Sequence, residues 1–178
     1  MKATGIVRRI DDLGRIVIPK EIRRTMRIRE GDPLEIFTES NGTVIFKKYS
    51  PIGELGEFAA QYAESLSKSA GIPACITDMD SVIAVSGMPK KELREKKISG
   101  GLERIMQNKS LFLANPGQKS VSVSDETDKY EAGVVAPIVH EGNSIGAVVF
   151  IAEPSSTMGE VESKLAETAA GFLGNTME

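Results

Sequence analysis

The stretch from Gly5 to Phe37, GIVRRIDDLGRIVIPKEIRRTMRIREGDPLEIF, constrains this chain more than any other. Short β-type apolar runs alternate there with most of the chain's arginines, around two turn signals and Pro19. Such a stretch does not make a complete globule. A unit that ends near Lys48 buries too little apolar surface to stand alone, and domains of that size need a disulfide, a metal or a partner. With one cysteine in 178 residues there is no disulfide framework and no zinc-type cysteine cluster. The expected remedy is a second copy of the chain.

Charge is distributed unevenly along the sequence. Residues 1–48 carry 11 Lys and Arg against 7 Asp and Glu, a net +4, and residues 49–178 carry 11 against 18, a net −7. A mildly acidic whole, net −3, therefore contains a basic N-terminal module. Basic charge concentrated on a small folded module is the electrostatic footprint of a polyanion binder, although a solvated basic face gives the same count.

The order of residues within the module adds to this. In RIVIP, alternation puts Ile16 and Ile18 on one face of a strand and Arg15 and Val17 on the other. Pro19 suits the first position of a short helix. On that helix the i, i+4 spacing turns Ile22 and Met26 inward and leaves Arg23, Arg24 and Arg27 outward. Gly31-Asp32-Pro33 reads as a turn. The runs 34–38 and 43–48 alternate as strands around Ser40-Asn41-Gly42, a hairpin signal.

TGIVRRIDDLGRIVIPKEIRRTMRIREGDPLEIF, and above all GRIVIP followed by a short helix, resembles the swapped-hairpin DNA-binding domain of the AbrB-like transition-state regulators. The likeness covers residues 1–50. It implies a β-barrel formed by an interleaved homodimer, with arginines of both chains facing double-stranded DNA. By position, Arg8, Arg15, Arg23 and Arg24 match that family's DNA contacts, with Arg9, Lys2 and Lys20 as helpers. The other reading of each arginine is a salt bridge to Asp11, Asp12, Glu21 or Glu30.

Beyond Ser50-Pro51 the pattern turns helical. Ile52, Leu55, Ala59, Tyr62 and Leu66 make a short heptad seam, read as a linker helix over 51–70 that also meets its dimer mate. Gly71-Ile72-Pro73 ends it. Residues 74–77 and 81–86 read as strands around Asp78-Met79-Asp80, two acids better taken as turn formers than as a calcium loop. Residues 90–108 read as one or two helices whose mixed run KKELREKK is a solvated face, and 111–128 as loop with one strand at 120–124. Residues 132–139 and 144–152 read as strands flanking a four-residue turn, HEGN, with His140 on the surface. Thr157 and Glu160 form a capping box for a helix to about Asn175. Its two apolar stripes, Val161, Leu165, Thr168, Phe172 and Ala166, Ala169, Ala170, Leu173, call for two neighbours. A homotetramer built through residues 52–70 and 157–175 follows from these faces.

The expected fold class is α+β, with residues 71–178 forming an α/β sandwich with flanking helices. APIVHEGNSIGAVVF and the helix after it resemble the end of a GAF domain, and a PAS-like sandwich gives a similar row. An AbrB-type module joined to a GAF domain resembles a family of sporulation transcription regulators. That likeness implies control of late-sporulation genes in the developing spore, with the GAF-like domain sensing a small-molecule ligand of unknown identity or serving assembly.

The competing reading is an antitoxin of a toxin–antitoxin pair, which shares the N-terminal module but follows it with a short disordered tail. An enzyme is not expected. Cys75 lies in an apolar run and His140 in a turn, no nucleophile–base or metal set is present, and no P-loop, GxSxG or HExxH motif occurs. No cofactor or metal is implied. With no presequence and no run of roughly 18 apolar residues, the expectation is a cytoplasmic, nucleoid-associated protein away from the membrane.

Overall fold

A computed structural model describes residues 4–115, 120–152 and 158–176, so Lys2 and Thr157 lie outside the described residues. The chain divides into two compact units, Met1–Tyr49 and Ser50–Glu178.

In the first unit Pro19 precedes α1, Lys20–Thr25. Its fixed φ and missing N–H suit a helix start. The helix closes where Ile28 N–H returns to the Arg23 carbonyl at 2.7 Å, across Arg27 in a left-handed conformation. Strands β1, Leu34–Thr38, and β2, Val44–Lys48, pair antiparallel from Leu34↔Lys48 to Thr38↔Val44. Asn41 Oδ1 accepts the Thr43 N–H at 2.8 Å and Gly42 takes a φ of 84°, the hairpin that Ser40-Asn41-Gly42 signals. Lys48 Nζ donates to the Arg27 carbonyl at 3.0 Å and lies 3.6 Å from Asp32, fastening the hairpin to the loop after α1.

Residues 5–18 depart from the sequence reading. Apart from a turn at 11–14 they form neither helix nor strand. Ile16 and Met26 are exposed and Ile18 and Ile22 half-buried, so neither pair faces a core. Arg23 and Arg27 are half-buried rather than outward. For residues 5–18 the physical reason is that a run becomes a strand only when a second strand takes its backbone groups, and a single chain supplies none to them. Arg23 and Arg27 lie where the chain folds back after α1, with Ile28 N–H on the Arg23 carbonyl.

The second unit begins with α2, Pro51–Glu54, whose Ser50 Oγ accepts the Gly53 N–H at 3.1 Å. Leu55 separates α2 from α3, Gly56–Ala70, which stops at Gly71 in the left-handed region. β3, Ala74–Asp78, and β4, Val82–Ser86, follow. Asp78 Oδ1 accepts the Asp80 and Ser81 N–H groups at 2.8 and 2.7 Å, so it shapes the turn. A single 3-10 turn at Lys90–Glu92 precedes α4, Gly100–Asn108. Between them residues 93–95 turn, with Glu95 in the left-handed region, and Lys97 and Ile98 bridge to Ser81 and Ser124, so the two helical pieces of 90–108 are separated by non-helical chain.

Then come β5, Phe112–Leu113; β6, Ser122–Ser124; β7, Thr127–His140; β8, Asn143–Ile151; and α5, Glu160–Asn175. The sheet order is β4-β3-β8-β7-β5, with β6 on β7. The β7–β8 turn is two residues, Glu141-Gly142, because His140 pairs with Asn143. His140 is correspondingly not free on the surface: its Nδ1 donates to the Gly174 carbonyl at 2.9 Å, at the last turn of α5. A side chain at Gly174 would run into the Val139 carbonyl.

Strand alternation gives this sheet two apolar faces. Ala74, Ile76, Val148 and Phe150 pack beneath α3 and α5 with Ile52, Ala59, Leu66, Ala166 and Leu173. Cys75, Val135, Val149 and Ile151 pack on the other side with Leu93, Leu102 and Met106. Burial pushes the Cys75 thiol up to about 12, the state of an inert packing group. Three residues of the heptad seam, Ile52, Ala59 and Leu66, thus belong to their own subunit's core. Of the other two, Leu55 lies between α2 and α3, and Tyr62 is half-buried and stacks on exposed Phe172 of α5 at 5.5 Å, with Phe58 6.1 Å from the same ring.

Candidate nucleic-acid interface

The basic residues of the first unit sit on three local elements. Arg8 and Arg9 lie on the arm before the first turn and are exposed. Arg15 begins the arm after it. Lys20, Arg23 and Arg24 lie on α1. Lys20 and Arg24 are exposed, whereas Arg23 is half-buried and its Nε is covered without a hydrogen-bond partner. Arg8 Nη1 donates to the carbonyl of its neighbour Val7 at 3.3 Å.

Arg15 is held differently. Its Nε meets Asp11 Oδ2 at 2.8 Å, while the rest of its side chain is 70% exposed. The hydrogen bonds from the Arg15 backbone and side chain hold the Asp11 carboxyl below the usual carboxylate range. Of the salt bridges weighed against DNA contact, this one is formed. Sequence reasoning treated Asp11 only as a competing acid. Its place at the head of Asp-Asp-Leu-Gly, where a carboxylate accepts backbone N–H groups two residues on, was the signal for a structured loop.

Around these cations lies apolar surface. Val7, Leu13 and Val17 are 85%, 70% and 71% exposed, and Ile10 and Ile36 are exposed as well. In this unit Pro19 alone is buried among the described residues. Side chains of this kind in such number mark an interaction surface. The unit therefore presents arginines beside an uncovered β-type apolar face.

The family model for stage V sporulation protein T C-terminal, transcription factor, matches residues 54–178. Stage V sporulation protein T of Bacillus subtilis (strain 168) is 56% identical over 178 residues, spanning 100% of this chain and 99% of that protein. The chain belongs to the stage V sporulation protein T family. A second model, antidote-toxin recognition MazE, bacterial antitoxin, matches residues 7–53. Transition state regulatory protein AbrB of Bacillus subtilis (strain 168) is 57% identical over 51 residues, 29% of this chain and 52% of AbrB, so the likeness spans about half of AbrB's length.

The C-terminal unit is similar to the GAF domain of an Acinetobacter phosphoenolpyruvate-protein phosphotransferase, with a TM-score of 0.57 at 11% identity over 69% of this chain and 81% of that one. At that identity the likeness speaks of the fold alone, which is GAF-like. The stage V sporulation protein T family is one of transcription factors, and the chain is α+β with an AbrB-like N-terminal module. The antitoxin reading does no better, because the 54–178 match and the ordered GAF-like unit occupy the place of an antitoxin's toxin-wrapping tail. No helix among the described residues is long and apolar enough to cross a membrane.

Proposed function

We propose that this protein regulates late-sporulation genes by binding duplex DNA through the arginines of its N-terminal module, residues 1–50, in an interleaved dimer. The observation that carries the reading is the pairing, in a unit where Pro19 alone is buried among the described residues, of exposed Arg8, Arg9, Arg15 and Arg24 with exposed Ile6, Val7, Ile10 and Val17. A second chain covers the apolar face, and the arginines of both copies converge on DNA. Lys2 and Lys20 assist, and Arg23 comes into play at the helix end. The protein acts by binding rather than catalysis, in the cytoplasm, at the nucleoid of the developing spore.

Contacts come from loops and a helix of six residues, too short to serve as a long recognition helix. Such a curved face suits phosphate contacts and DNA shape better than a dense base-edge code. Residues 71–178, with the helices at 51–70, form the regulatory or assembly domain. Phe58, Tyr62 and Phe172 make an aromatic patch on the outer side of α3 and α5, and a second copy of this patch joins dimers into a tetramer.

Arg15→Ala, Arg23→Ala and Arg24→Ala are each expected to weaken binding of a labelled duplex by the intact protein by roughly tenfold, with the dimer preserved. Lys96→Ala and Lys97→Ala in the KKELREKK run are expected to leave affinity nearly unchanged. If the lysine variants abolished binding while the arginine variants did not, the DNA site would lie in the other unit.

A further inference from the structure

Asp11 is an acid set among the arginines, and its carboxylate is fully engaged with one loop. Oδ1 accepts the Leu13 N–H at 3.0 Å and the Arg15 N–H at 2.7 Å. Oδ2 accepts Arg15 Nε at 2.8 Å. The backbone closes the same turn, with Asp11 N–H on the Arg15 carbonyl at 3.0 Å and Gly14 N–H on the Asp11 carbonyl at 3.1 Å. Gly14 supplies the left-handed φ of 76° that completes it. A guanidinium carries five N–H donors, so holding Nε leaves the two Nη groups to meet a ligand. Asp12, the next residue, makes none of these contacts.

We infer that Asp11 is a positioning residue for the DNA contact of Arg15, a step that rests on the reading of Arg15 given above. Asp11 folds the loop and fixes the direction of the guanidinium, so the side chain loses little freedom when it meets a phosphate or a base edge. Arg is suited to this use, because a planar fork held at one nitrogen is fixed in orientation. The competing effect has the opposite sign. An acid on a DNA-facing surface repels phosphates, so charge alone makes its removal strengthen binding. The sign of the change therefore separates positioning from simple charge.

The test uses the full-length chain and a labelled DNA duplex that the unaltered protein binds. Asp11→Asn keeps one oxygen to close the turn and loses the anionic oxygen that holds Nε. Asp11→Ser, whose hydroxyl also closes such turns, is carried beside it. The comparison is read from whichever variant keeps the dimer mass and melting temperature. The expected result is a loss of affinity of roughly tenfold per dimer, while Asp12→Asn binds as well as the unaltered chain or better. In an Arg15→Ala background the Asp11 substitution no longer weakens binding, because its effect runs through that side chain. Stronger binding by the Asp11 variant, as for Asp12→Asn, would mean that the ion pair sequesters Arg15 and would overturn the inference while leaving the DNA reading intact. Unchanged binding by Arg15→Ala alone would instead remove the reading on which the inference stands.

Discussion

A polypeptide of residues 1–52 is expected to melt at a temperature that rises with its concentration. Dissociation of the dimer and unfolding of the module are then one event, as in other obligate dimers. The reason is the near absence of a core in one chain. Among the described residues of the unit Pro19 alone is buried, and Val7, Ile10, Leu13 and Val17, in and around the 11–14 turn, are exposed. At about 25 cal/mol per Å² these side chains add little to stability while they face water, and they stabilise the module only when a second chain covers them. A tenfold dilution changes the free energy of a dimer by about 1.4 kcal/mol, which for a barrel of this size lowers the melting temperature by about 5 °C. Circular dichroism at several concentrations reads this directly. A monomer with full β signal and a concentration-independent melt would contradict it.

The second large effect separates two residues that the sequence placed on similar seams. Leu66→Asp is expected to unfold the C-terminal unit, whereas Phe172→Glu is expected to divide a tetramer into dimers and leave that unit folded. Leu66 is 6% exposed within the cluster beneath α3 and α5. An unpaired carboxylate there costs several kcal/mol, a large part of a typical domain's 5–15 kcal/mol. Phe172 is 48% exposed, and its ring meets Tyr62 and Phe58 at the surface. A charge at that position repels its counterpart in a symmetric contact while remaining hydrated in the free subunit. Sedimentation and thermal melting of each variant distinguish the outcomes. An unchanged mass for Phe172→Glu would place the assembly contact elsewhere.

These elements show where sequence reasoning reached and where it stopped. The hairpin around Asn41-Gly42 and the helix after Pro19 were legible because turn chemistry and helix starts are local properties. The GAF-like strands 132–139 and 144–152 were legible as apolar runs, but β7 also takes in Thr127–Glu131, where polar residues hide the pairing with β6. Residues 90–108 read as one or two helices and hold two helical pieces, and the break between them was not legible because it depends on bridges Ser81↔Lys97 and Ile98↔Ser124 that are remote in sequence. The heptad seam was real as a pattern, yet Ile52, Ala59 and Leu66 face their own sheet. Periodicity identifies an apolar stripe and leaves open which neighbour covers it.

At the candidate site the residue types were legible and their local state was not. GRIVIP and its neighbouring arginines stand out in the sequence. The tie from Asp11 to both the backbone and the side chain of Arg15 depends on the turn at 11–14 closing, which charge counting ignores. The burial of Arg23 Nε similarly follows from the way the chain folds back after α1 to place Ile28 N–H on the Arg23 carbonyl.

The salt dependence of DNA binding bears most directly on the proposal that arginines from both chains neutralise phosphates. Arg8, Arg15, Arg23 and Arg24 in each chain of a dimer give eight contacts, and eight phosphates correspond to a slope of log K against log[salt] of about −7. Arginines that read bases or stay paired with acids reduce the magnitude, so a slope of roughly −4 to −7 is expected for the intact protein. Arg24→Ala removes a contact from each subunit and is expected to make the slope shallower by about two, while Lys96→Ala leaves it unchanged. A slope near zero, or one altered by Lys96→Ala and not by Arg24→Ala, would contradict the assignment of DNA binding to the N-terminal module.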